Sequence, residues 1–192
     1  AMNLSSTSTR RPISLLQRRD WNMPDHRILG ITGWKNSGKT TLTEKLVAAL
    51  VANGYRIATI KHAHHAFDID HEGRDSFRHR AAGASEVAVV SSKRWALIHE
   101  LETEAEPPLD DVLARLSPGD LVIIEGYKRE GHDKIEVRRS GARETTPIAA
   151  SDPSIIAVAT DMPDRETKLP QFALDDTEAV VRFVMKRYPL EK

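Results

Sequence analysis

The run Gly33-Trp34-Lys35-Asn36-Ser37-Gly38-Lys39-Thr40 has the residue types and spacing to hold a polyphosphate. It fits the pattern GxxxxGK[ST] without a mismatch. Glycines let the backbone curl until successive N–H groups and a helix N-terminus aim at phosphate oxygens. Lys39 would then reach the β- and γ-phosphates, Thr40 would give its hydroxyl to Mg2+, and Thr41 would meet the α-phosphate. Gly33, Asn36, Ser37 and Gly38 complete the candidate binding loop for a purine nucleoside triphosphate. The plainer reading is a glycine turn that only caps an ordinary helix.

A phosphate loop of this kind needs an acid at the end of a neighbouring strand. Leu121-Val122-Ile123-Ile124-Glu125-Gly126 is an apolar run closed by a carboxylate. Glu125 is thus the candidate to orient a Mg2+-bound water or to activate an attacking one. Gly126 after it fits close backbone approach to a ligand; the alternative is an exposed strand-end carboxylate.

A second chemical segment runs from Lys61 to Ser76 and is dense in His and Asp. Asp68 and Asp70 are hard oxygen ligands suited to Mg2+. His64, His65 and His71 suit a transition metal or an anionic substrate, or are simply solvated.

These groups are useful only if one scaffold gathers them. From His26 onward, short runs rich in Ile and Val alternate with segments of helical period, the pattern of a parallel sheet with crossover helices. The expected fold class is α/β: a predominantly parallel sheet flanked by helices, with a small antiparallel insertion. Strands are predicted at 27–32, 55–61, 86–91, 94–99, 120–125, 134–138, 155–160 and 171–174. Helices are predicted at 38–53, 74–82, 109–116 and 176–186. The first helix should bury Leu42, Leu46, Val47, Leu50 and Val51, with Gly54 as its cap. Ser92-Lys93 is a two-residue link that makes 86–99 a hairpin. The phosphate loop and the His/Asp segment both follow strands, so both should emerge at the carboxyl edge where open α/β sheets bind ligands.

At 192 residues the chain has room for one domain of ordinary size, expected from residue 27 onward behind a flexible tail. The 28 Lys+Arg balance the 28 Asp+Glu, so the net charge gives no drive toward nucleic acid or an anionic membrane. The basic group Lys128, Arg129, Lys134, Arg138, Arg139 and Arg143 reads equally as anion or partner contacts and as solvated surface. The absence of Cys excludes disulfides and thiolate chemistry, and together with the lack of any membrane-length apolar run it leads us to expect a cytoplasmic protein.

From Ile28 to Asp161 the chain resembles the molybdopterin-guanine dinucleotide biosynthesis protein B (MobB) family of P-loop GTP-binding proteins. The matching pieces are GWKNSGKTTL from Gly33, IKHAHHAFDID from Ile60, GRDSFRHRAAGA from Gly73, LVIIEGYK from Leu121 and AVATD from Ala157. The resemblance implies Mg2+-dependent GTP binding, weak GTPase activity and a homodimer. It also implies a partner, a MobA-like nucleotidyltransferase that joins GMP to molybdopterin. It carries phosphate contacts onto Gly38, Lys39, Thr40 and Thr41, and a magnesium or hydrolytic role onto Asp68 or Asp70 and Glu125. Asp161 falls where GTPases keep the acid that reads the guanine edge, although the usual Asn-Lys-x-Asp form is absent. A small-molecule kinase and a non-catalytic nucleotide-binding adaptor are the other readings. The kinase is disfavoured because no separate lid accompanies Arg74, Arg78 and Arg80.

Overall fold

The computed structural model describes residues 26–63, 67–101 and 105–190. The N-terminal tail up to residue 25, together with His64 and His65, lies outside them.

Six parallel strands make the main sheet: β1 (Ile28–Thr32), β2 (Ile57–Lys61), β5 (Leu121–Glu125), β6 (Lys134–Arg138), β7 (Ile155–Thr160) and β8 (Gln171–Phe172). Their order is β2-β5-β1-β6-β7-β8, so the first strand sits inside the sheet between β5 and β6. The Glu125 strand is accordingly flanked on both sides. A separate antiparallel pair, β3 (Glu86–Val90) and β4 (Trp95–His99), forms the expected insertion, with Val90 opposite Trp95 across the Ser92-Lys93 link.

Among the described residues there are four α-helices: α1 (Lys39–Ala52), α2 (Asp75–Ala81), α3 (Leu109–Leu113) and α4 (Thr177–Arg187). On α1, the buried residues Leu42, Leu46 and Leu50 recur every four positions and so line one stripe. Val51 was expected on that stripe but lies one position further round and is 54 % exposed. Gly54, at φ 89, ends the helix in the left-handed conformation that favours glycine. Asp176 caps α4 by accepting from the Ala179 amide at 3.0 Å. Helices α1 and α4 cover one face of the sheet, packing Leu46, Val180 and Val184 against Leu29, Ile31, Leu121 and Ile123. The alternate residues Val122 and Ile124 face α3 on the other side. Leu46 has no exposed surface, so its truncation to Ala would leave a cavity costing about 2–5 kcal/mol. Among the described residues no helix is long and apolar enough to cross a membrane.

Strand β6 departs from expectation. Its apolar residues Ile135 and Val137 enter the main core, while Lys134, Glu136 and Arg138 are buried on the opposite face. The reading of Lys134 and Arg138 as solvated surface or as free anion contacts is therefore corrected. Lys134 donates to the Glu130 carbonyl, to Asp152 at 3.1 Å and to Ser154 at 2.5 Å. Arg138 lies 4.0 Å from Asp164. Glu136 accepts from the amides of Ile148 and Ala149 at 2.9 and 3.0 Å. A buried charge is tolerated only with partners, and the loop between β6 and β7 supplies them to Lys134 and Glu136.

Candidate functional site

The loop after β1 is shaped by residues that only its sequence pattern permits. A Cβ on Gly33 would run into the Val137 carbonyl and the Ser37 hydroxyl. Gly38 starts α1 at φ 99, and Asn36 holds φ 64 at the tip, a conformation Asn tolerates better than most residues. Ser37 is buried, and its hydroxyl has no hydrogen-bond partner. Trp34 anchors the loop from outside, its indole N–H donating to the Thr146 carbonyl at 2.7 Å. Thr146 lies just before the amides held by Glu136, so the buried carboxylate steadies the segment against which the loop rests.

Lys39 donates to the Trp34 carbonyl at 2.8 Å, folded back over its own loop. Burial pushes its pKa down, the Glu125 carboxylate counters this, and the positive charges of Lys128 and Lys61 push it down further. Lys128 and Lys61 thus add positive charge around Lys39, an arrangement that an incoming polyphosphate would relieve.

Thr40 and Glu125, from opposite ends of the motif pair, meet: the Thr40 hydroxyl lies 3.0 and 3.1 Å from the two carboxylate oxygens. Parallel pairing of β1 with β5 sets Ile31 beside Glu125 and thereby brings the start of α1 over the end of β5. A hydroxyl facing a carboxylate suits a small hard cation that completes its shell with water and phosphate oxygens. Among the described residues no group of three or more His, Cys, Asp or Glu side chains could hold a metal ion. Phosphate and water would therefore have to supply the rest of a magnesium shell.

Asp68 and Asp70 are placed differently. The Arg80 guanidinium bonds Asp68 at 2.8 Å, bonds Asp70, and bonds Glu100 at 2.7 Å. Burial resists ionisation of Asp70, yet hydrogen bonds from Arg80 and Ser76 and the Arg80 charge hold its carboxyl below the ordinary value. Arg80, which the kinase reading would put on phosphates, is committed to this cluster. Asp161 follows β7 as expected, and its two oxygens accept from the amide and hydroxyl of Ser140, both at 2.7 Å.

One cavity borders the phosphate loop and another lies at the ends of β2 and β5. The first, of about 220 Å³, is lined by Ser37, Gly38, Thr41, Leu42, Lys45 and Arg139 together with Leu174 and Asp175. The other, of about 520 Å³, contains His62, Glu106, Tyr127, Lys128 and Arg129. Sequence reasoning missed Lys61, Tyr127 and Asp175. Lys61 and Tyr127 had a signal, because both flank motif residues at strand ends. Asp175 had none, since only the packing of α4 brings it beside Thr41.

The chain can now be set beside known proteins. Residues 28–161 match the family described as MobB, molybdopterin guanine dinucleotide synthesis protein B. The chain is 38 % identical over 161 residues to the molybdopterin-guanine dinucleotide biosynthesis adapter protein of Escherichia coli (strain K12), covering 83 % of this chain and 91 % of that one. Its identity to the Haemophilus influenzae adapter protein is 42 % over 140 residues, covering 71 % and 75 %. Among solved structures, the MobB homologue from Bacillus stearothermophilus superposes with a TM-score of 0.64 at 32 % identity, covering 84 % of this chain and 97 % of that one. The family model, the curated relatives and the fold agree, and the chain belongs to the MobB family.

Proposed function

We propose that this protein is a Mg2+-dependent GTP-binding adapter with weak GTPase activity, acting in the synthesis of molybdopterin guanine dinucleotide. Its relatives are named as adapters of that synthesis. The observation that carries the nucleotide reading is the meeting of Thr40 with Glu125 at 3.0 Å beside Lys39. Thr40 and Glu125 would hold Mg2+, which would neutralise charge on the β- and γ-phosphate oxygens. Lys39 would leave the Trp34 carbonyl for the same oxygens. A water positioned by Glu125 would attack the γ-phosphorus in line, and the bond to the β–γ bridging oxygen would break. Arg80 is held by three carboxylates and so is not free to act on the phosphates, which agrees with slow turnover.

For the base there are two candidate carboxylates: Asp175 on the cavity beside Thr41, and the expected Asp161, which lies outside that lining and already accepts from Ser140. Either carboxylate could accept from guanine N1–H and the 2-amino group. The working partner would be a MobA-like nucleotidyltransferase, with molybdopterin as shared cargo. A homodimer follows from the same family reading. The β3-β4 hairpin supports it, presenting Val90 at 74 %, Trp95 at 71 % and Leu97 at 49 % exposure.

Calorimetric titration with GTP and with ATP, each with and without Mg2+, tests the proposal. Tight binding of GTP alone, dependent on Mg2+, is expected. Equal binding of ATP would sink the guanine-specific reading.

A further inference from the structure

Lys128 lies just beyond the end of β5, shortly after Glu125, and the mechanism above gives it no task. Two backbone features turn it toward the phosphate loop. Gly126 holds φ 108, and a Cβ there would lie 2.7 Å from that of His62, so only glycine fits. Tyr127 follows in the left-handed region at φ 46. Its ring stacks on His62 with centroids 4.4 Å apart and packs against the cluster of Leu109 and Ile124. A side chain at positive φ carries a conformational cost that its packing must offset, and here the packing fixes the direction of the turn.

The turn sets the Lys128 ammonium over the Trp34 ring, 4.4 Å from its centroid. Trp34 belongs to the phosphate loop, and its carbonyl accepts from Lys39 at 2.8 Å. Two ammonium groups from different segments thus rest on one neutral residue, and the Lys128 charge is among those that push the Lys39 pKa down. The indole N–H, donated to the Thr146 carbonyl at 2.7 Å, ties Trp34 itself to the loop after β6. Among the described residues no carboxylate pairs with Lys128, whereas Arg80 is held by Asp68, Asp70 and Glu100.

A cation over an aromatic ring near the surface is held by a factor of about two to five, and a charge-assisted hydrogen bond to an anion by about tenfold or more. An anion arriving beside Lys39 therefore outcompetes the ring. We propose that Lys128 is a second phosphate-binding cation, which leaves Trp34 for the terminal phosphate of a bound nucleoside triphosphate and so distinguishes a triphosphate from a diphosphate. The terminal phosphate is its target because Lys128 shares the field of Lys39, the residue that reaches the β- and γ-phosphates. Thr41, on the side of the α-phosphate, borders instead the cavity that holds Arg139 and Asp175. This inference rests on the nucleotide reading above, since it needs a triphosphate on the loop.

The test is calorimetric titration of the full chain with GTP and with GDP, each with Mg2+, for the parent, Lys128→Met and Arg129→Ala. Lys128→Met keeps the apolar stem and should weaken GTP about tenfold or more, while GDP changes by less than about twofold and shows that the variant is folded. Arg129→Ala removes the same charge from the next residue, an exposed one, and should change neither affinity by more than about twofold. A second readout is the emission of Trp34 in a chain carrying Trp21→Phe and Trp95→Phe, which GTP should shift and GDP should leave near that of the free chain. Parent-like GTP affinity in Lys128→Met, or equal weakening of GTP and GDP, overturns the proposal and leaves the nucleotide reading standing. So does an equal loss in Arg129→Ala, which would make the effect one of diffuse charge, or an equal emission shift with GDP. A parent chain that bound neither nucleotide would sink the nucleotide reading, and this inference with it.

Discussion

Glu125 and Asp70 are both carboxylates that follow parallel strands toward the same edge of the sheet, yet the structure surrounds them with opposite partners. Glu125 faces the Thr40 hydroxyl, and its charge reaches Lys39. Asp70 is gripped by Arg80, which also takes Asp68 and Glu100. A carboxylate already neutralised by a guanidinium has little left to offer a cation. Glu125 instead faces a neutral hydroxyl, which suits it better to a cation. The difference favours Glu125 over Asp68 and Asp70 for the proposed magnesium role, while Asp68 and Asp70 fasten the segment after β2 to α2 and to the end of β4.

The strongest way to break this contrast is to remove the cation that serves the loop. Lys39→Ala should lower GTP affinity by about a hundredfold or more, measured by calorimetry, because a charge-assisted phosphate contact made in a partly buried site is lost. A parent-like variant would end the assignment of the site. A smaller effect is expected at Glu125. There, Glu125→Gln should raise the Mg2+ concentration needed for GTP binding about tenfold, while metal-free binding stays near the parent value. The paired control is Asp70→Asn, for which we expect less than about a twofold change in Mg2+ dependence together with a lower melting temperature. If Asp70→Asn shifted the magnesium titration as far as Glu125→Gln, the two carboxylates would have to exchange roles.

Acidification sharpens the same comparison with the smallest effect. The folded state holds the Asp70 carboxyl below its ordinary value of 3.8, so the unfolded chain binds the proton first as pH falls. The Arg80 cluster thus contributes fully above that range and is lost as the pH drops through the lowered value. Denaturant midpoints between pH 5 and pH 3 should fall for the parent and fall less for Asp70→Asn (about these limits, set by the ordinary carboxyl pKa). Parallel slopes would show that Asp70 is not the group responsible.

Much of this architecture was legible in the chain itself. The phosphate loop, its flanking strand and helix, the Glu125 strand and the hairpin all carry local signals: glycine placement, apolar runs and a two-residue link. Strand β6 was harder to read. Lys134-Ile135-Glu136-Val137-Arg138 looks like a half-exposed strand, and nothing local tells that the loop up to Ser154 folds back to partner its charges. Arg80 was likewise a plausible phosphate ligand until the fold carried three carboxylates to it.

By itself the sequence determined the elements and the chemistry each could offer, because glycine freedom, apolar periodicity and strand-end acids act over a few residues. Only the tertiary structure decided which charged groups meet. Thr40 and Glu125 are 85 positions apart and come together solely because β1 and β5 pair in parallel register. The partners that neutralise Asp70, bury Lys134 and stack Tyr127 on His62 are likewise chosen by distant segments. Electrostatic pairing acts over a few ångströms of space and is blind to distance along the chain.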